Sequence, residues 1–483
     1  MNCSMRFVLA SVALFLCLSC FGQTGYDIRF NVAGLKDTTA YLAYHFGEST
    51  YIHIKDTARV NSKGEFAFTG KEALQPGIYL LVMNKTKVME FVVGKNQRFG
   101  LSTASGDYYK NMVVKNDPDN KLFFDNMAFN MERHQEAEPF IKVLQDSTLN
   151  EEQKRAAREL FQKVNDKVVE YQDKLIAAHP ETVTAILLKA SKQVKVPDAP
   201  KKRDGSIDST FQLRWYRAHF FDNFDLGNDM LIRLPQPMYS QKVNEYLDKL
   251  YAPQPDTVFQ AIEKIVGKAS KNPETYKYIV YNLIQKYWAP EIMGLDEVFV
   301  KIYDKYIQTG QMDYWVNASF KKTLKEQADR LRKSLVGQTG DDLIMQDSNF
   351  KPRKMYDIKN KYTILFIFDP ECGHCKKETP KLVDFYNKNK VKFNVEVYAV
   401  SADTSMAKMR NYIKEMKMPW ITVNGPRTYV GPYQDHYDAN TTPSLYILDD
   451  KKKIIGKKVP AEKLEEFFTN FEKFQKARAS QKL

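Results

Sequence analysis

One stretch constrains the fold more than any other: Tyr362-Thr363-Ile364-Leu365-Phe366-Ile367-Phe368, a nearly unbroken apolar run. A strand without alternation has no wet face and must be covered on both sides, which is the place of a central strand in an α/β sheet. The run ends at Asp369-Pro370-Glu371, and Cys372-Gly373-His374-Cys375 then opens an expected helix, Lys376 to Asn387. A thiolate at a helix N-terminus meets unpaired N–H groups and the positive end of the macrodipole, so its pKa falls. Cys372 is thereby the expected nucleophile. Cys375, one turn later, can reach the same sulfur. His374, when protonated, stabilises the thiolate further, so the Gly373-His374 dipeptide is expected to tune the pair toward a more oxidising disulfide.

The cysteine inventory sharpens this. The chain has five cysteines, and Cys3, Cys17 and Cys20 lie in the first 22 residues. There Arg6 precedes the apolar run Phe7–Leu18, and Cys20 and Gly22 follow with small-residue spacing, the grammar of a secretory signal peptide over 1–22. At 12 residues the run is shorter than the roughly 20 needed to span a bilayer. Cys20 after Leu18-Ser19 is also a candidate for acylation, so export to the periplasm or cell envelope is expected, either soluble or with a lipid anchor at Cys20. Beyond the signal, Cys372 and Cys375 remain alone. A bond closing so short a loop does little to constrain an unfolded chain, which leaves chemistry or metal as the purpose of the pair. Zinc would need two more ligands, no further cysteine exists to supply them, and the seven histidines show no HxH or HExxH spacing. No metal and no cofactor are expected.

The net charge is +13. Nucleic acid is not the expected partner, because acids and bases interleave along helices, as in Glu151-Glu152-Gln153-Lys154-Arg155. The Lys451-Lys452-Lys453 run after Asp449-Asp450 reads as a hairpin turn.

Three segments follow the signal. Over 24–116, period-two runs (Ile28–Val32, Tyr51–Ile54, Glu65–Phe68, Ile78–Val82, Lys87–Val93) alternate with turns such as Asn61-Ser62-Lys63-Gly64, which predicts an N-terminal β-sandwich. Over 117–335 apolar residues recur at three and four, as in Ala156, Leu160, Val164, Val168, Tyr171 and in Val243, Tyr246, Leu247, Leu250, which predicts an all-α middle domain. Its aromatic cluster, Trp215, Tyr216, His219, Phe220, Phe221 and Phe224, is expected to lie mostly on one helix face as core. From 336 to 483 the order is α/β: the dithiol helix, a strand Val395–Val400, a helix through Met416, a strand ahead of Gly425, Thr442-Pro443 before Ser444–Leu448, a hairpin strand Lys453–Lys457 and a helix from Ala461. The fold class is thus a multi-domain α+β chain.

The last segment resembles the thioredoxin-like superfamily, and more closely the TlpA/ResA-type thiol-disulfide oxidoreductases exported by bacteria. The strand running into CxxC, the Lys376-Lys377-Glu378-Thr379-Pro380 that follows it and the Thr442-Pro443 before a hydrophobic strand carry the resemblance. Residues 24–116 resemble the N-terminal β-domain of unknown function found ahead of such domains. The resemblance implies Cys372 as attacking thiol, Cys375 as resolving thiol, Pro443 as the cis-proline beside the disulfide, Thr442 as a backbone contact for substrate, and Glu378 as an acid assisting proton transfer. It also implies protein thiols and disulfides as substrates and a membrane thiol donor or acceptor as redox partner. Two departures stand out. Glu371 replaces the usual Trp before the first cysteine, and CGHC is the motif of disulfide isomerases, so reductase and isomerase or oxidase directions both remain open. A peroxiredoxin is disfavoured, since the Thr and Pro it needs ahead of the cysteine are Asp369 and Leu365 here. The remaining alternative is a non-catalytic binding protein carrying a passive thioredoxin-like module.

Overall fold

The computed structural model describes residues 25–47, 52–84 and 86–480. The expected signal segment with Cys20, and Tyr51, lie outside the described residues. Among those residues no helix is long and apolar enough to cross a membrane. The chain divides into two compact units, residues 1–239 and 240–483.

The first unit opens with eight strands: β1 (Tyr26–Ala33), β2 (Thr39–Tyr44), β3 (His53–Arg59), β4 (Glu65–Gly70), β5 (Gly77–Met83), β6 (Thr86–Val93), β7 (Arg98–Ala104) and β8 (Val113–Lys115). They form two four-stranded sheets, in the orders β4-β1-β7-β8 and β3-β2-β5-β6. The period of two does the sorting. In β1 Ile28, Phe30 and Val32 are buried and Arg29, Asn31 and Ala33 exposed, so one face joins Phe68, Leu81, Phe91 and Leu101 in the core between the sheets. The Asn61–Gly64 turn separates two strands that do not pair with each other: β3 pairs with β2 and β4 with β1. Gly64 is obligatory in that turn, because its φ is +80° and a Cβ there would lie 2.1 Å from the Val32 carbonyl. The strands β2, β7 and β8 carry weaker alternation and were not legible in the sequence.

Four helices complete this unit: α1 (Pro118–Gln145), α2 (Glu151–Ala178), α3 (Val183–Ser191) and α4 (Phe211–His219). Asp117 caps α1 through the Asn120 N–H, and the Asn120 amide bonds both the N–H and the carbonyl of Val92 at 2.9 and 2.7 Å. The helix start thereby closes the open edge of β6. α1 and α2 pack together, Phe129 stacking on Tyr171 at 4.1 Å. The seam of α2 runs through Ala157, Val164 and Leu175, so the expected stripe is shifted by one position at its start and Leu160 faces water. The aromatic cluster also divides: α4 stops at His219 with no buried residue, and Phe220, Phe221 and Phe224 enter the core from the turns that follow it.

α5 (Met238–Leu250) begins at the division, and the second unit continues with α6 (Pro255–Ala269), α7 (Pro273–Trp288), α8 (Asp296–Ile302) and α9 (Ala318–Lys333), then β9 (Ile344–Asp347), β10 (Pro352–Lys354), β11 (Tyr362–Phe368), α10 (Gly373–Phe393), β12 (Val395–Ser401), α11 (Met406–Glu415), β13 (Ile421–Thr428), β14 (Ser444–Leu448), β15 (Ile454–Lys457) and α12 (Leu464–Ser480). The helical stretch expected over 117–335 is thus shared between the two units. Val243, Tyr246, Leu247 and Leu250 are all buried, as the 3.6-residue period requires. The sheet order is β10-β9-β13-β12-β11-β14-β15. β11, β12 and β13 are parallel and the other strands antiparallel. β11 is buried at all seven positions: Ile364, Phe366 and Phe368 meet Leu382, Phe385 and Phe468 on one face, while Leu365 and Ile367 join Tyr398, Tyr437 and Tyr446 on the other.

Two lysines depart from a solvated surface. Lys452, in the expected hairpin turn, is 6% exposed and donates to the Ile358 carbonyl and the Thr363 hydroxyl at 2.7 and 2.8 Å. Lys457 on β15 is buried against Asp296 of α8 and also donates to the Ser334 carbonyl at 2.9 Å. The second pair fixes the helices of this unit to the edge strand of its sheet.

Candidate functional site

Because β11 and β12 run parallel, the chain must leave the sheet at Phe368 and return through a helix. That helix begins at Gly373, with Cys372 as its N-cap. The first N–H groups of a helix have no intrahelical partner, and the Cys375 N–H points at Cys372 Sγ, 3.5 Å away. Sulfur takes the place that a Ser or Asp oxygen usually holds at an N-cap.

The two sulfurs differ in environment. Cys372 is part-exposed and Cys375 fully buried. Burial by itself would raise the Cys372 thiol. The Cys375 N–H, the Cys375 thiol, the Thr442 side chain and the His374 N–H outweigh it and hold the group below its ordinary value. Cys375 Sγ sits in the apolar core under α10, where burial pushes it up to about 12; the Asp369 N–H, 3.4 Å away, offsets only part of this.

Thr442-Pro443 is a cis peptide, and the Thr442 carbonyl lies 3.4 Å from Cys372 Sγ. Segments seventy residues apart thus meet at the reactive sulfur. A methyl group at Gly373 would touch no atom within 4 Å. The fold does not demand glycine there, and its absence of a side chain leaves the approach to the dithiol open. His374 is exposed beside it.

Glu378 is part-buried on α10. Its carboxylate accepts from the Ala461 N–H at 2.5 Å and lies 3.6 Å from Lys381 Nζ, so it caps the short turn Ala461–Lys463 ahead of α12. Tyr412 of α11 shares the core cluster of the cysteines, and its hydroxyl meets the Thr379 hydroxyl at 2.8 Å, Thr379 in turn donating to the Cys375 carbonyl at 2.8 Å. The Tyr412 ring stacks on Phe368 at 4.9 Å, and burial pushes its hydroxyl up to about 12. Tyr412 was not legible in the sequence: it sits in an ordinary amphipathic helix, and only the packing of α11 brings it to the dithiol. On the rim, Lys408 bridges Glu371 at 2.8 Å and Asp403 at 3.2 Å, so the residue standing in place of the usual Trp is held by an ion pair.

The comparisons with known proteins agree with this geometry. A family model described as thioredoxin-like matches residues 360–454. Residues 360–454 are a thioredoxin-like domain. Two further models, both domains of unknown function, match residues 26–123 and 152–330. The chain is 25% identical over 127 residues to the thiol-disulfide oxidoreductase ResA of Bacillus cereus, a match spanning 26% of this chain and 70% of that protein. Among solved structures, a domain of a possible thiol-disulfide isomerase from Cytophaga hutchinsonii is 36% identical, covering 30% of this chain and 97% of that one with a TM-score of 0.28. A thioredoxin-like protein from Bacteroides caccae is 16% identical, covering 57% and 99% with a TM-score of 0.45. The Cys372–Cys375 dithiol lies within the thioredoxin-like domain, and over that stretch the chain is similar to thiol-disulfide oxidoreductases.

Proposed function

We propose that this protein works outside the cytoplasm, exchanging electrons with protein substrates through the Cys372–Cys375 pair. The observation that carries the reading is the asymmetry of the two sulfurs: an accessible thiol held below its ordinary pKa at a helix N-terminus, and a buried one pushed up to about 12. In the reducing direction the Cys372 thiolate attacks one sulfur of a substrate disulfide, forming a mixed disulfide and releasing the other sulfur as a thiolate. Cys375 gives up its proton to that leaving thiolate or to water and attacks Cys372 Sγ. The second substrate sulfur departs, and two electrons have passed from the dithiol to the substrate. The oxidising direction is the same sequence reversed. A thiol partner at the membrane would reset the pair.

Each neighbour has a role in this scheme. The Thr442 carbonyl, next to the cis bond, aligns the extended substrate chain, with Pro443 fixing the turn. Gly373 leaves room for it, and His374 tunes the potential. Glu378 acts through its cap on the Ala461 turn, keeping α10 and the segment leading into α12 in register. Export is supported by the signal-like segment 1–22.

Equilibration of the pair against glutathione, read by alkylation, tests the reading and sets the direction. A potential near about −270 mV makes the protein a reductant, and one near about −180 mV an isomerase or oxidase. A pair that forms no disulfide at any glutathione ratio would leave the passive-module alternative standing.

A further inference from the structure

The thioredoxin-like match begins at residue 360, yet the loop that delivers Thr442 to Cys372 is held from outside that range. Between β13 and β14 the chain makes a long excursion, residues 429–443. Four consecutive residues of it bond to the last residue of α9 and the segment that follows it. The Asp435 carbonyl accepts from Lys333 Nζ at 2.8 Å. His436 Nδ1 faces Asp341 Oδ2 at 2.8 Å, and its Nε2 faces the Val430 carbonyl at 3.0 Å. The Tyr437 hydroxyl donates to the Asp341 carbonyl at 2.7 Å, and the Asp438 N–H donates to Ser334 Oγ at 3.2 Å.

The packing is as specific as the bonds. Tyr437 and Ser334 are fully buried. A Cβ on Gly340 would lie 2.5 Å from the Tyr437 hydroxyl, so glycine at 340 is what lets the two segments close. The brace is itself anchored: the Gly337 N–H donates to the Ile454 carbonyl at 2.7 Å, and the Ser334 carbonyl accepts from Lys457, which is buried against Asp296. Through Gly337, Gln338 and Gly340 the same segment also pairs with the chain around β15. It fixes the loop whose far end carries the Thr442 carbonyl, 3.4 Å from the reactive sulfur.

We propose that residues 333–341 are a brace for the substrate-binding loop, with Asp341 and Ser334 positioning Thr442 against Cys372, so that the working redox unit extends upstream of the thioredoxin-like domain into the end of α9. This rests on the function proposed above. A looser loop binds an extended protein disulfide less well and leaves the intrinsic reactivity of Cys372 as it was.

The test uses the full chain with insulin as the protein disulfide and 5,5′-dithiobis(2-nitrobenzoate) as a small disulfide that needs no loop. Loss of the Asp341–His436 hydrogen bond predicts that Asp341→Ala raises KM for insulin about tenfold with little change in kcat. Its rate with the small disulfide stays near wild type. Asp341→Asn, which keeps an oxygen facing Nδ1, restores most of the affinity. Hydrogen exchange at the amides of 436–442 speeds up in Asp341→Ala, and in Ser334→Ala should the first variant fail to fold. The brace is overturned by unchanged KM and exchange in a folded variant, or by a parallel fall in the rate with both disulfides. If the wild type itself does not reduce insulin, the proposed function falls, while the exchange measurement still decides whether the brace holds the loop.

Discussion

The outward face of the sheet β4-β1-β7-β8 and the carboxyl end of the seven-stranded sheet are both polar surfaces built on buried strands, and they differ in how their polar groups are satisfied. On the first, Arg29 pairs with Asp27 at 2.8 Å while 75% exposed, and water screens what remains. On the second, a parallel strand is followed by a helix, and the free N–H groups of that helix find a sulfur. The first sheet pairs β1 with β7 in parallel and its other neighbours antiparallel, and no cysteine lies at the end of its strands. A βα junction leaves several unpaired at one point. The comparison teaches that reactivity in this protein comes from a cysteine seated at a strand-to-helix junction more than from the number of ionisable groups, of which the sandwich has plenty.

The largest effect that could break this contrast is at the sulfur itself. Cys372→Ser should lower insulin turnover by at least about a thousandfold, the scale seen when a nucleophile is removed, whereas Cys375→Ser should keep the first attack and accumulate the mixed disulfide on a non-reducing gel. Turnover surviving in Cys372→Ser would move the chemistry elsewhere.

Next come stability changes on the two sides. Phe68, fully buried between the sandwich sheets, should cost about 3–5 kcal/mol when cut to Ala, measured by urea denaturation, with the alkylation rate of Cys372 unchanged. A slowed Cys372 would mean that the sandwich governs the site after all. Asp296→Ala strands Lys457 as a buried unpaired charge and should cost about 3–5 kcal/mol, while Asp296→Leu combined with Lys457→Met should recover most of it.

The pH dependence sharpens the asymmetry of the sulfurs. Iodoacetamide at neutral pH should label Cys372 and spare Cys375, the rate falling as pH drops through the lowered Cys372 value. For stability the two act oppositely. The depressed Cys372 pKa stabilises the reduced fold above the ordinary thiol value and is lost as pH falls through the folded one. Cys375 keeps its proton in the folded chain where the unfolded chain has lost it, so the reduced fold loses stability as pH climbs from 9.0 toward about 12. Denaturation across that range should show a steeper decline in the reduced chain than in the oxidised one, which keeps only the decline from its buried tyrosines such as Tyr412.

The smallest effect is expected at Glu378. Gln keeps an oxygen for the Ala461 N–H, so Glu378→Gln should change exchange rates less than about tenfold; a larger loss, within the range of general acid–base contributions, would restore the proton-transfer role that the resemblance implies.

Much of the site was legible because its signals are local. The apolar run of β11, the dipeptide between the cysteines and Thr442-Pro443 each state their structure within a few residues. Glu378 shows the limit of this: its position in the motif is readable, but what its carboxylate faces depends on where Ala461 lands. The same holds for Tyr412, for the Lys408–Glu371 pair, and for Lys452, which reads as part of a charged turn and is buried against Thr363. Strands β2, β7 and β8 were missed for a related reason, since weak alternation gains its meaning only from the neighbour that covers one face.

The sequence by itself determined the class of chemistry, because a lone dithiol after a buried strand leaves few uses, and it determined the succession of strand-rich, helical and α/β stretches through its hydrophobic periods. Tertiary structure alone decided which groups surround the sulfurs and which segments hold the loop opposite them. Hydrophobic period and motif spacing act over a few residues. The contacts of Cys372 with Thr442 and of Asp341 with His436 close spans of 70 and 95 residues, and only the completed sheet brings such ends together.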